Sequence, residues 1–216
     1  MTNARDAILG RIRSATGGDP ARRAVVEARL AAHARGPVPE RAKVAGSEAL
    51  VAFVARLKAA SITVAEAAHI ADVPRLAAEY LRANNLPARL RMGTEPELAN
   101  LEWPVEIAHG TAEGTDEVSI AKAFAGVAET GTLVLTSGPD NPTTLNFLPE
   151  TEIVVIRAGD VVGGYEDAWD KVRADFPGGL PRTVNWVSGP SRTADIEQTI
   201  VMGAHGPRRL HVIVSS

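Results

Sequence analysis

Residues 183–202 constrain the fold of this chain more than any other stretch. Thr183-Val-Asn-Trp-Val187 has the β-branched and aromatic content of a strand, and Ile196-Glu-Gln-Thr-Ile-Val-Met202 spaces its apolar residues as a helix does. Between them lies Ser188-Gly-Pro-Ser-Arg-Thr-Ala-Asp-Ile-Glu197. Gly189 opens backbone angles closed to other residues, and Pro190 fixes φ and removes a hydrogen-bond donor. The pattern predicts a tight strand-to-helix turn in an α/β layer. Ser191 or Thr193 would cap the helix, and Asp195 and Glu197 would sit in its first turn, where the dipole favours negative charge.

Such a turn presents backbone N–H groups beyond the C-terminal end of a strand, where open α/β sheets bind anions. Gly189, Ser191, Arg192, Thr193 and Asp195 are therefore ligand-binding candidates for a small carboxylate or phosphate, with Ser188 as a further hydroxyl. Arg192 leads them, because a guanidinium grips a carboxylate with two parallel bonds. Its alternative role is a salt bridge to Asp195, Glu129 or Glu197, and Asp195 on either reading orients the arginine or the turn. A capped helix without any ligand satisfies the same residues.

The rest of the chain alternates helix and strand. Helices are expected over 2–14 and 21–34, in a polar, alanine-rich arm spanning 1–45. The arm would pack on the main domain or on a second copy of the chain, giving a homodimer in the second case. From 46 to 216 the periodicity gives a helix from Ser47, a strand at 61–65, a helix opening at Asp72 and a strand at 88–92. Strand candidates follow at 103–108 and 118–120, then a helical turn over 121–127, a buried strand at 133–135 and a long loop from 138 to 149. A central strand at 152–156, a helix over 165–176 and a last strand at 210–214 complete the pattern. This rhythm predicts an α/β fold: a mostly parallel sheet flanked by helices.

Two further motifs carry polar groups. In Ala128-Glu-Thr-Gly-Thr132, Glu129, Thr130 and Thr132 press against the start of a strand, and Gly131 between two threonines implies close backbone approach or a bulge. Glu129 is a candidate general base, or an acceptor of backbone hydrogen bonds at the strand end. Thr130, Gly131 and Thr132 are candidate anion ligands, although threonine is also an ordinary strand residue. In Gly203-Ala-His-Gly-Pro207, His205 is a candidate acid or base, or a structural histidine. The remaining histidines are scattered and none pairs at metal-ligand spacing, so no metal is expected.

Composition excludes several classes. A net charge of −3 over 216 residues gives no reason to expect nucleic acid or an anionic membrane as a partner. The absence of cysteine removes disulfides, thiolate zinc sites and all-cysteine iron–sulfur clusters, and fits a cytoplasmic protein. No apolar run reaches the roughly 18 residues of a spanning helix, so no membrane insertion is expected. No Gly-x-Gly-x-x-Gly follows a strand, which argues against a nicotinamide site.

The three motifs, in this order and spacing and each leading to a strand, resemble the LUD-domain family over about residues 46–216. The resemblance implies a fold like that of glucosamine-6-phosphate deaminases, ribose-5-phosphate isomerases and CoA transferases. It implies a role in oxidising L-lactate to pyruvate beside two iron–sulfur partner proteins, which would carry the clusters, this chain being a cluster-free, non-redox subunit without a cofactor of its own. The 138–152 loop departs from the family pattern: family members often place a basic residue before Leu-Pro and a histidine in the next strand, where this chain has Thr143, Thr144, Asn146 and Glu152. The alternative is a stand-alone enzyme or sensor acting on a phosphorylated or CoA-linked small molecule, an expectation that rests on fold likeness alone.

Overall fold

The computed structural model describes residues 4–16, 20–196, 199–202 and 205–216. The chain divides into two compact units, Met1–Pro37 and Val38–Ser216. The smaller holds helices α1 (Ala4–Thr16) and α2 (Pro20–Ala32), whose apolar residues Ile8, Ile12, Val25, Val26 and Leu30 are exposed.

The larger unit opens on a 3-10 turn (Glu40–Ala42), then α3 (Gly46–Ala59), β1 (Thr63–Ala67), α4 (Val73–Ala83), β2 (Arg89–Met92), the single turn α5 (Pro96–Ala99) and β3 (Glu106–His109). Next come β4 (Val118–Lys122), β5 (Ala125–Val127), β6 (Thr132–Thr136), a 3-10 turn at Thr143–Asn146 and β7 (Thr151–Arg157). The last part holds β8 (Val161–Val162), α6 (Tyr165–Asp175), β9 (Val184–Val187), β10 (Arg192–Ile196), β11 (Thr199–Met202) and β12 (Arg209–Ser215).

Six strands form one sheet in the order β1-β12-β7-β4-β2-β3, and every pairing in it is parallel. A parallel sheet needs both faces covered, and its central strands therefore read as apolar runs. Alternate residues of β7 and β12 serve the two faces. Val154, Ile156, Val212 and Val214 pack with Phe53 and Leu57 of α3 and with Leu133 and Leu135 of β6. Ile153, Val155 and Ile213 pack with Val73, Ala77 and Leu81 of α4 and Leu98 of α5. A second sheet, β8-β5-β6-β9, carries Thr132, the last residue of the Glu129 motif, at the start of β6, and β10 and β11 form a separate antiparallel pair. The fold is the α/β architecture expected, with a mostly parallel central sheet flanked by helices.

Two expected helical segments are strands. Ile196–Met202 is not a helix: β10 ends at Ile196, β11 runs from Thr199 to Met202, and Thr193 faces Val201. The turn after β9 therefore leads into a hairpin rather than a capped helix. The apolar spacing of Ile196, Ile200 and Val201 fits a helix, but Thr199-Ile-Val is a β-branched run, and such side chains sit better on a pleated surface. Glu197 and Gln198 lie outside the described residues, as do Gly203 and Ala204.

The helical turn expected over 121–127 is likewise absent. β4 continues to Lys122 and β5 begins at Ala125. Gly126 in β5 lies so close to the core that a Cβ there would stand 2.7 Å from Ile156 and 2.8 Å from Phe53. Val161 begins β8 and pairs Gly126.

Candidate functional site

The site is built where the second sheet begins. Thr132 is the first residue of β6 and is fully buried. Its Oγ1 lies 2.7 Å from Thr130 Oγ1, 2.9 Å from Tyr165 Oη and 2.6 Å from Ser188 Oγ. Thr130 Oγ1 also reaches Tyr165 Oη at 3.0 Å, which closes a triangle of hydroxyls. Tyr165 opens α6, and its ring lies against Trp186 of β9 with centroids 5.3 Å apart. Ser188 follows β9 and is exposed, so the cluster runs from the core to solvent.

Glu129 begins the same motif. Its side chain is 8% exposed, and its Oε1 accepts a 2.8 Å hydrogen bond from Arg41 Nη2. Its backbone N–H donates to Gly163 O at 2.9 Å. Gly131 lies in the left-handed region at φ 72°, and its N–H closes the turn onto Val127 O. A Cβ on Gly131 would stand 2.7 Å from Arg56 Cβ and 3.0 Å from the α3 backbone. The close approach read from Thr-Gly-Thr is thus to a helix.

The Ser188–Ser191 turn ties this cluster to the third motif. Ser188 holds Thr132. Three residues on, the Ser191 N–H donates to Pro207 O at 2.8 Å, and Ser191 Oγ accepts from the backbone N–H of His205 at 3.2 Å. Gly189, at φ 143°, sits over Ala60 O at the end of α3. His205 is exposed. Arg192, Thr193 and Asp195 lie on β10, with Arg192 opposite Met202. The three motifs, spread over 80 positions of sequence, meet around one turn. Tyr165 and Arg41 are the members that sequence reasoning missed. A tyrosine opening a helix and an arginine in a polar segment carry no motif, and only the tertiary fold brings them to Thr132 and Glu129.

The 138–149 loop is bound down along its length. Thr94 Oγ1 donates to Asp140 Oδ1 at 2.6 Å, Ala112 N–H donates to Thr144 Oγ1 at 3.0 Å, and Ser119 Oγ donates to Leu145 O at 2.6 Å. Thr143 meets Thr183 at 3.0 Å. Behind this loop Glu152 is 0% exposed, and neither of its carboxyl oxygens has a partner among the described residues. Burial pushes its pKa well above the usual carboxylate range. On the opposite face His211 is 5% exposed, with Nδ1 2.8 Å from Thr63 Oγ1 and its ring stacked on Tyr80 at 4.0 Å. Burial lowers its pKa to about 4, against a smaller opposing effect of Thr63.

Among the described residues no group of three or more His, Asp or Glu is placed to hold a metal ion, and no helix is long and apolar enough to cross a membrane.

A parallel α/β sheet whose three polar motifs gather at one turn is the architecture of a domain family. Residues 50–215 match the family model described as LUD domain, and the chain belongs to that family. It is similar to lactate utilization protein C of Deinococcus radiodurans, 38% identical over 109 residues covering 50% of each chain. It is also similar to lactate utilization protein C of Geobacillus kaustophilus, 32% identical over 150 residues covering 67% of this chain and 60% of that one. The chain spans about half the length of the curated relatives it matches. A crystal structure of a DUF162 family protein from Deinococcus radiodurans superposes with a TM-score of 0.64 at 22% identity, over 80% of this chain and 99% of that one, which shows the shared fold.

Proposed function

We propose that this chain takes part in lactate utilisation as a non-redox subunit, binding a small 2-hydroxy or 2-oxo carboxylate where its three motifs meet. The observation that carries the reading is the Ser188–Ser191 turn, which holds Thr132 at one end and the His205–Pro207 segment at the other. The names of the relatives supply the substrate class. Conversion of lactate to pyruvate removes two electrons and two protons, and no side chain of this protein accepts the electrons. They pass to iron–sulfur proteins that assemble with it in the cytoplasm. Within this chain Glu129 is the candidate base for the substrate hydroxyl, the exposed His205 a second proton carrier, and the hydroxyls of Thr130, Tyr165 and Ser188 the polar lining, held together by the buried Thr132.

Affinity purification of the tagged chain from its own cells, grown anaerobically on lactate, tests the reading. Cysteine-rich iron–sulfur proteins should co-purify, and the pool should reduce a dye with L-lactate while the isolated chain does not. Dye reduction by the isolated chain, or a chain recovered without partners, overturns it.

A further inference from the structure

The Glu129 side of the cluster is closed by a segment outside all three motifs. Residues 38–45 are held by their own turn, Ala42 N–H to Pro39 O at 2.9 Å and Lys43 N–H to Glu40 O at 3.0 Å. They lie against Gly163 so closely that a Cβ there would stand 2.1 Å from Ala42 O and 2.5 Å from Val44 O. The same Gly163–Gly164 turn accepts the Glu129 N–H and opens the helix that presents Tyr165. Arg41, Glu129 and Tyr165 are thus all positioned by the Gly163–Gly164 turn.

Arg41 spends one N–H on Glu129, and its side chain is 60% exposed. A guanidinium has five N–H donors in a planar fork, and the others of Arg41 have no partner among the described residues. Glu129, by contrast, is buried, and its negative charge would repel an anion arriving at the neighbouring hydroxyls. Arg41 supplies the compensating positive charge and keeps further donors for a ligand.

Resting on the functional reading above, we infer that Arg41 is the residue that selects a carboxylate in this site. Its inner edge neutralises Glu129 and its outer edge grips the substrate carboxylate, leaving the substrate hydroxyl to Glu129 and Thr130. A neutral substrate of the same shape gains nothing from Arg41.

The test compares L-lactate with its neutral amide, lactamide, by titration calorimetry on the full chain. Arg41→Gln alone leaves a buried carboxylate unpaired, so the comparison is made in a Glu129→Gln background, where the neutral pair keeps its hydrogen bond. Adding Arg41→Gln there should weaken L-lactate binding roughly tenfold to a hundredfold, the range of a lost charge-assisted hydrogen bond, and change lactamide by less than about threefold. Equal losses for the two ligands, or a loss for neither, overturn the role of Arg41 while leaving the site itself in place. A wild-type chain that binds neither lactate nor pyruvate overturns the site reading, and Arg41 with it.

Discussion

Thr132 Oγ1 lies 2.6 Å from Ser188 Oγ, joining residues 56 positions apart. A threonine hydroxyl donates once and accepts twice, and Thr132 has three hydroxyl neighbours, Thr130, Tyr165 and Ser188. Its capacity is therefore filled by the motifs it joins. The buried end of the cluster is a structural joint, and the exposed end, at Ser188, is the end a ligand can reach.

Thr132→Val keeps the shape and deletes the joint. It should cost about 1–3 kcal/mol, because three hydroxyls lose a shared partner in a buried place. For a chain of this size that lowers Tm by roughly 2–4 °C per kcal/mol. Thr132→Ser keeps the hydroxyl and should cost only about 1 kcal/mol for the lost methyl. Calorimetric melts of the two variants decide the matter: equal losses would mean that the methyl, not the hydroxyl, holds the strand start.

Gly131→Ala should cost more than a surface glycine change. The residue sits at φ 72°, and its new methyl would meet Arg56 and the α3 backbone at 2.7–3.0 Å. Strained backbone and a displaced helix together should remove about 2–4 kcal/mol. Gly138→Ala, where a Cβ meets nothing within 4 Å, is the control and should stay within about 1 kcal/mol of wild type in denaturant titrations.

The central strands were legible because burial on both faces leaves an apolar run, as in Ile153-Val-Val-Ile156 and Val212-Ile-Val214. The helix α6 and the strand β9 were legible from period and flanking breakers. Ile196–Met202 was not, because a four-residue apolar spacing and a β-branched run coexist there and the pairing that decides between them is with β10. Ala121–Val127 failed for a related reason: alanine has no strand signature, and its extended path is imposed by packing under α3. At the site the three motifs were readable as strings. Their meeting at Ser188–Ser191, and the contributions of Tyr165 and Arg41, depend on contacts across 14 to 88 residues that no local pattern encodes.

Glu152 gives a pH-dependent prediction. Its folded pKa is raised by burial, so the folded state prefers the protonated acid. The stabilising contribution is complete below the unfolded pKa and is lost as pH rises through the folded one. Glu152→Gln removes the titration while keeping the shape. The variant should melt higher than wild type at pH 8, by a margin that shrinks as pH falls towards 4. Melts at a series of pH values measure it, and a constant margin across the series would show that Glu152 stays ionised in the fold.

His211 runs in the opposite sense. Its pKa falls from the usual 6.5 to about 4, because burial disfavours the imidazolium. Above pH 6.5 neither state binds the proton, so its contribution is complete there. Between 6.5 and about 4 the unfolded chain takes up a proton that the folded chain refuses, and stability is lost through that window. The full loss amounts to about 3 kcal/mol, from 1.36 kcal/mol for each pH unit of displacement. His211→Gln can keep the bond to Thr63 and cannot titrate. It should be less stable than wild type near neutrality, where it lacks the ring stacked on Tyr80, yet lose less stability between pH 6.5 and 4. Urea titrations at three pH values give the two slopes. Parallel slopes would mean that His211 is protonated in the folded protein and that the Tyr80 stack carries a cation instead.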